Sequence, residues 1–157
     1  MKPTVYIETS VIGYLTTWPI RDLIVAGHQQ STRLWWDSQR VRFHLLASQV
    51  VLRESQAGDR QAAEERLKLL AQIDLLEILG IDLDLAERLL EAGALPAKAA
   101  DDALHVAIAA TNKLNYLLTW NLKHINNPAT KPLIEKIIRE SGYIPPTICT
   151  PDELLEV

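Results

Sequence analysis

Val5-Tyr6-Ile7-Glu8-Thr9-Ser10 runs from three large apolar side chains straight into an acid and two hydroxyls. Three apolar residues in a row, bounded this sharply, read as a short strand buried on both faces. Thr9 and Ser10 are good N-caps for a helix that follows at once. Glu8 stands at the junction. There it faces backbone N–H groups at the positive end of a helix, so it is either a cap or part of a site.

Working outward, the same alternation recurs. Residues 20–38 read as a helix with Leu23, Ile24, Leu34 and Trp35 on its apolar stripe, 41–47 as a strand, and Ser48 as the cap of the next helix. Residues 59–73 form an amphipathic helix. Leu75 to Leu79 is a strand or a helix end, stopped by Gly80. Helices at 82–93, 97–113 and 128–140 enclose a strand at 116–119. A last short strand at 147–150 precedes a turn near Glu153. Strands separated by helices imply an α/β architecture: a central parallel sheet of four to five strands flanked by helices. Sites in such sheets form at the carboxyl ends of the strands, which puts Glu8 and the Thr119-Trp120-Asn121 stretch on one rim.

At 157 residues the expected organisation is one domain over 1–157. A hydrophobic content of 48% argues against disorder, yet no apolar run approaches the ~20 residues of a membrane helix. Met1-Lys2-Pro3 enters the first strand directly, which leaves no room for a signal peptide. Cys149 is the one cysteine. A soluble cytoplasmic protein is expected. The net charge of −4 is unevenly spread. Residues 59–91 carry nine acids and four bases, whereas 111–139 carry Lys113, Lys123, Lys131, Lys136 and Arg139 against Glu135 alone. A basic surface beside an acidic pocket suits a phosphate chain led to a metal; a solvated surface with chance asymmetry is the plainer account.

Three further acids and their neighbours complete a pattern. Glu54 shares a helix face with Ala47, Val50 and Val51, and an acid on an apolar stripe either pairs with something or marks a site. Asp102 lies early in its helix, on one face with Lys98, His105, Val106 and Ala109, with Ala100, Leu104, Ala107 and Ile108 opposite as the expected core side. Asp101 is rotated about 100° away and cannot serve the same site equally. His105 is read as a hydrogen-bonded structural histidine, with phosphate contact as the alternative. Of Trp35 and Trp36, one is expected in the core and the other at the surface. Hard cations such as Mg²⁺ and Mn²⁺ take oxygen ligands, so acids gathered on one rim suit metal-assisted phosphodiester hydrolysis. Carboxylates held together without a cation repel one another, which would raise the pKa of one of them.

In order and spacing, strand-Glu8-Thr9-Ser10, helix-Glu54, Asp102-Ala103 and Leu118-Thr119-Trp120-Asn121 resemble the PIN domain, as in VapC-like toxins of bacterial toxin–antitoxin pairs. The resemblance runs from about residue 3 to residue 150. It implies a PIN-like three-layer fold and a metal-dependent endoribonuclease. Glu8, Glu54 and Asp102 would be its metal ligands, with Asn121 joining them as a catalytic residue, while Thr9, Ser10 and Thr119 position substrate or water. It also implies Mg²⁺ or Mn²⁺ as cofactor, RNA as substrate, a small antitoxin as partner and a homodimer. Two departures stand out. Glu8 takes a position usually held by the shorter aspartate, and Asn121 and His124 fall where many members carry acids. The alternative is a PIN-fold module without catalysis that binds RNA or a protein. A phosphatase on a similar sheet lacks an Asp-x-Asp pair after the first strand.

Overall fold

The computed structural model describes residues 1–155. Five strands form one parallel sheet in the order β3-β2-β1-β4-β5, where β1 is Thr4–Ile7, β2 His44–Ser48, β3 Asp74–Leu76, β4 Tyr116–Leu118 and β5 Thr147–Cys149. Seven α-helices flank it among the described residues: α1 (Thr9–Thr16), α2 (Leu23–Gln39), α3 (Gln49–Ser55), α4 (Arg60–Leu70), α5 (Gly80–Glu91), α6 (Ala100–Thr111) and α7 (Lys131–Glu140). This is the α/β fold the alternation implied. Val5, Tyr6 and Ile7 are fully buried, as expected of a central parallel strand covered on both faces. Leu75 resolves as part of a strand, β3, rather than a helix end.

The chain leaves β1 toward β2 and β3, then returns to place β4 and β5 on the other side. The switch point therefore lies between β1 and β4, and in open α/β sheets the crevice above such a point is where ligands bind. Four strands end in a buried polar residue at this rim: Glu8, Ser48, Thr119 and Thr150. The backbone ties them together, Glu8 N donating to Leu118 O at 3.1 Å and Thr119 N to Cys149 O at 3.0 Å.

Several boundaries move for local reasons. The cap of α1 is Glu8 itself, whose carboxylate accepts from Ser10 N, so Thr9 and Ser10 are the first helical residues rather than caps. Asp22 caps α2 by accepting from Ile24 N and Val25 N. A tight turn at Arg40–Arg42, closed by Phe43 N donating to Arg40 O, delays β2 to His44. The buried Asp82 carboxylate accepts from Leu79 N and starts α5 at Gly80. Asn127 gathers Ala129, Thr130 and Lys131 N–H groups into a turn, so α7 starts at Lys131.

Two packing expectations are corrected. Trp35 and Trp36 are both buried, at 0% and 7% exposure, because α2 lays both against the sheet side and Arg40 covers Trp36 at 4.8 Å. Helix α6 has no exposed face from Ala103 to Ala110; His105, Val106 and Ala109 are as buried as Ala107 and Ile108. An alanine-rich helix is narrow enough to be enclosed all round, and α5 packs along it. Cys149 is buried as expected, and burial pushes its thiol up to about 12. No helix among the described residues is long and apolar enough to cross a membrane.

Candidate active site

Glu8 leaves the end of β1 at the switch point and is 5% exposed. A carboxylate so buried needs donors. Ser10 supplies two, N at 3.1 Å and Oγ at 2.5 Å, and Thr119 Oγ1 a third at 2.5 Å. Thr119 Oγ1 in turn accepts from Asn121 N at 2.9 Å, and Ser10 Oγ from Trp120 N at 2.8 Å. The hydroxyls of two elements thus clamp one carboxylate and lock the β4 end onto the start of α1.

Glu54 reaches the same place from α3, the helix that Ser48 caps through Val50 N and Val51 N. Its Oε1 accepts from Thr9 Oγ1 at 2.6 Å and bonds His105 Nε2 at 2.6 Å. His105 comes up from α6, fully buried, with Nε2 4.0 Å from Glu8 Oε2. Donor atoms of Glu8, Glu54 and His105 all lie within 4.8 Å of one another.

Behind His105 the polar path continues into the sheet. Its Nδ1 is 2.6 Å from the hydroxyl of Tyr6, which is 2.7 Å from Ser48 Oγ. With Nε2–H donating to Glu54, Nδ1 accepts from Tyr6, and Tyr6 accepts from Ser48; one consistent assignment satisfies every member. Burial drives the Tyr6 hydroxyl well above its ordinary pKa, so it stays protonated and serves as a fixed donor. Burial alone would lower His105, but its bond to Glu54 and the charges of Glu8, Glu54 and Asp102 outweigh this and raise it. Burial likewise pushes Glu54 up, and the bond and charge of His105, Thr9 and Arg53 prevail to hold it below the usual carboxylate range. The expected repulsion is therefore relieved at Glu54: a histidine lies between the two glutamates.

Asp102 stands one turn before His105 on α6, on the same side. It does not join the close set. Its Oδ2 is 2.9 Å from His124 Nδ1, so this acid is paired with a histidine from the loop after β4. His124 is placed by Asn121, whose Oδ1 accepts from His124 N at 3.0 Å. Asp101 turns outward and pairs with Arg53 at 2.5 Å. Of the residues singled out from the sequence, Glu8, Glu54, Thr9, Ser10 and Thr119 meet directly, and Asp102 and Asn121 meet through His124. Tyr6 and Ser48 were missed as polar partners. The signal was available: a tyrosine in a fully apolar strand needs a hydrogen-bond partner for its hydroxyl.

Two solved structures share this fold. VapBC2 from Rickettsia felis, solved bound to a DNA fragment from its promoter, matches with a TM-score of 0.60 over 94% of this chain and 98% of that one, at 14% identity. VapC20 of Mycobacterium tuberculosis, a toxin that cleaves the sarcin-ricin loop, matches with a TM-score of 0.50 over 90% of this chain and 97% of that one, also at 14% identity. No protein-family model matches the sequence, and no curated protein does. The architecture is therefore PIN-like, in agreement with the resemblance carried by the short motifs.

Proposed function

We propose that this chain is a divalent-metal-dependent endoribonuclease, the toxin of a VapBC-type pair, working in the cytoplasm with Mg²⁺ or Mn²⁺. One observation carries the reading: Glu8 and Glu54, from separate elements, meet beside His105 at the switch point of a PIN-like sheet. The donor set fits such an ion. Carboxylates suit Mg²⁺ and Mn²⁺ alike, and His105, with Nε2–H donating to Glu54, orients that carboxylate rather than ligating. A bound cation would neutralise the phosphate and supply an activated water.

In this reading Glu8 and Glu54 hold the ion, and Asp102 contributes a third carboxylate from the His105 side of α6. Thr9, Ser10 and Thr119 fix the carboxylate orientations in advance, so little rearrangement is needed when RNA arrives. Asn121 has its Oδ1 engaged by His124 and keeps its amide N–H groups for a phosphate oxygen or water. Lys98 and Lys123, both exposed and close in sequence to Asp102 and His124, would receive the phosphate chain.

A small antitoxin would cover the exposed apolar surface at the start of α2, where Trp18 is 87% and Leu23 88% exposed. Trp35 and Trp36 are both buried, so a homodimer face on α2 would use the exposed Leu34 and its neighbours. The reading as a silent RNA- or protein-binding module draws on one observation: Glu8, Glu54 and Asp102 already have hydroxyl or histidine partners. Incubation of a structured RNA with the protein in Mn²⁺, Mg²⁺ or EDTA separates the two. Internal cleavage that EDTA abolishes and Glu54→Gln removes supports the nuclease. Intact RNA in both metals makes the silent module the better account.

A further inference from the structure

Beside the acids, the rim carries an ordered group of aromatic side chains. His28 of α2 stacks on the indole of Trp120, ring centres 4.0 Å apart and planes 15° from parallel. Tyr14 of α1 lies 5.9 Å from Trp120 and 6.0 Å from His28, its plane 74° and 88° to theirs. Near-equal distances to both rings place Tyr14 alongside the stack. A ring on the outer face of His28 would lie much farther from Trp120 than from His28. The outer face is thus not covered by Tyr14. Among the described residues no other ring or cation stacks there, and nothing bonds the imidazole nitrogens.

This stack is built onto the acid site. The Trp120 indole N–H donates to Thr32 Oγ1 at 2.7 Å, one turn along α2 from His28. The Trp120 backbone N–H donates to Ser10 Oγ, which itself donates to Glu8. Tyr14 stands one turn from Ser10 on α1, on the same face. Core packing accounts for Trp120, which is 8% exposed. It does not account for His28, a part-exposed ring at the end of a stack with both nitrogens unengaged.

We infer that the Trp120–His28 stack is completed by an unpaired base of the RNA, lying face-on to the outer side of His28. The inference rests on the nuclease reading and adds where the strand is held: at one base taken out of its stack, since a base inside a duplex has no free face. Every base has a π-face, so the platform sets where the strand sits relative to the acids without choosing a sequence. His28 acts as a positioning residue.

The test is fluorescence anisotropy with a labelled short single-stranded RNA and the same backbone made abasic, in Ca²⁺, with RNA integrity checked on a gel. The wild type should prefer the intact RNA by roughly tenfold or more, the scale of one stacked base. His28→Ala should lose that preference while binding the abasic strand as before, and His28→Phe should retain it. Melting temperatures near that of the wild type confirm that both variants fold. Retention of the full preference by His28→Ala, or equal loss in His28→Phe, overturns the inference and leaves the nuclease reading standing if RNA is still cut. A wild type that binds neither strand overturns both.

Discussion

The two rims of the sheet are joined by polar side chains in different ways. At the amino end, Thr4 and Asn115 exchange hydrogen bonds of 2.9 Å between β1 and the start of β4, and His44 pairs with Asp74 across β2 and β3 at 2.9 Å. These groups lie in or near solvent; the His44 and Asp74 side chains are 50% and 75% exposed. At the carboxyl end, Glu8 and His105 are buried and Glu54 is partly so, in one network that reaches Tyr6 and Ser48. Both rims hold strands in register. Only one confines ionisable groups where their charge is costly, and perturbed groups gathered in this way mark functional sites.

Substitutions should separate the rims. Glu54→Gln or Glu8→Gln should lower metal-dependent RNA cleavage by more than about a hundredfold, since even groups one layer out from a metal are worth roughly 10–100-fold. Asp74→Asn on the other rim should leave cleavage unchanged and cost under about 1 kcal/mol, the usual worth of an exposed pair. Rate assays at saturating Mn²⁺ check both.

Tyr6→Phe should come next. It leaves buried His105 Nδ1 and the Ser48 hydroxyl without their shared partner, a cost of about 1–3 kcal/mol. Asn115→Ala removes bonds to groups that water can reach, and should cost about 0.5–1.5 kcal/mol. Urea denaturation of the two variants gives the order directly; the reverse order would mean that the carboxyl-rim network is loosely held.

The smallest effect is on pH dependence without metal. Glu54 is held low, so its contribution to stability is present above the ordinary carboxylate range and is lost as pH falls through the lowered value. His105 is held high, so its contribution is present below its ordinary value of about 6.5 and is lost as pH rises through the raised one. In EDTA the melting temperature should peak in the mildly acidic window between those limits. His105→Gln should flatten the alkaline side, which a scan of melting temperature against pH would show.

The architecture was legible because the strands are short and mostly apolar and two of them run straight into a helix cap: Val5 to Ile7 before Glu8, and the run into Ser48. Glu8 and Glu54 were legible because an acid at a strand end or on an apolar helix face needs an explanation. The role of His105 was only partly so. A helical wheel places it beside Asp102, but no local pattern tells that Tyr6 and Glu54, from two other elements, meet its two nitrogens. The burial of Trp36 and of the whole of α6 was missed because a single helix does not reveal how many neighbours enclose it. The turn that gives His124 to Asp102 depends on Asn121 and Asn127, whose side-chain bonds leave no periodic trace.

Calorimetric titration of metal-free protein with Mn²⁺ tests the central claim most directly. Wild type should bind saturably, with Glu8→Gln and Glu54→Gln weakened by more than about a hundredfold and Asp74→Asn unchanged. Absence of binding by wild type, or binding that survives in both glutamine variants, would contradict a cation site at the switch point.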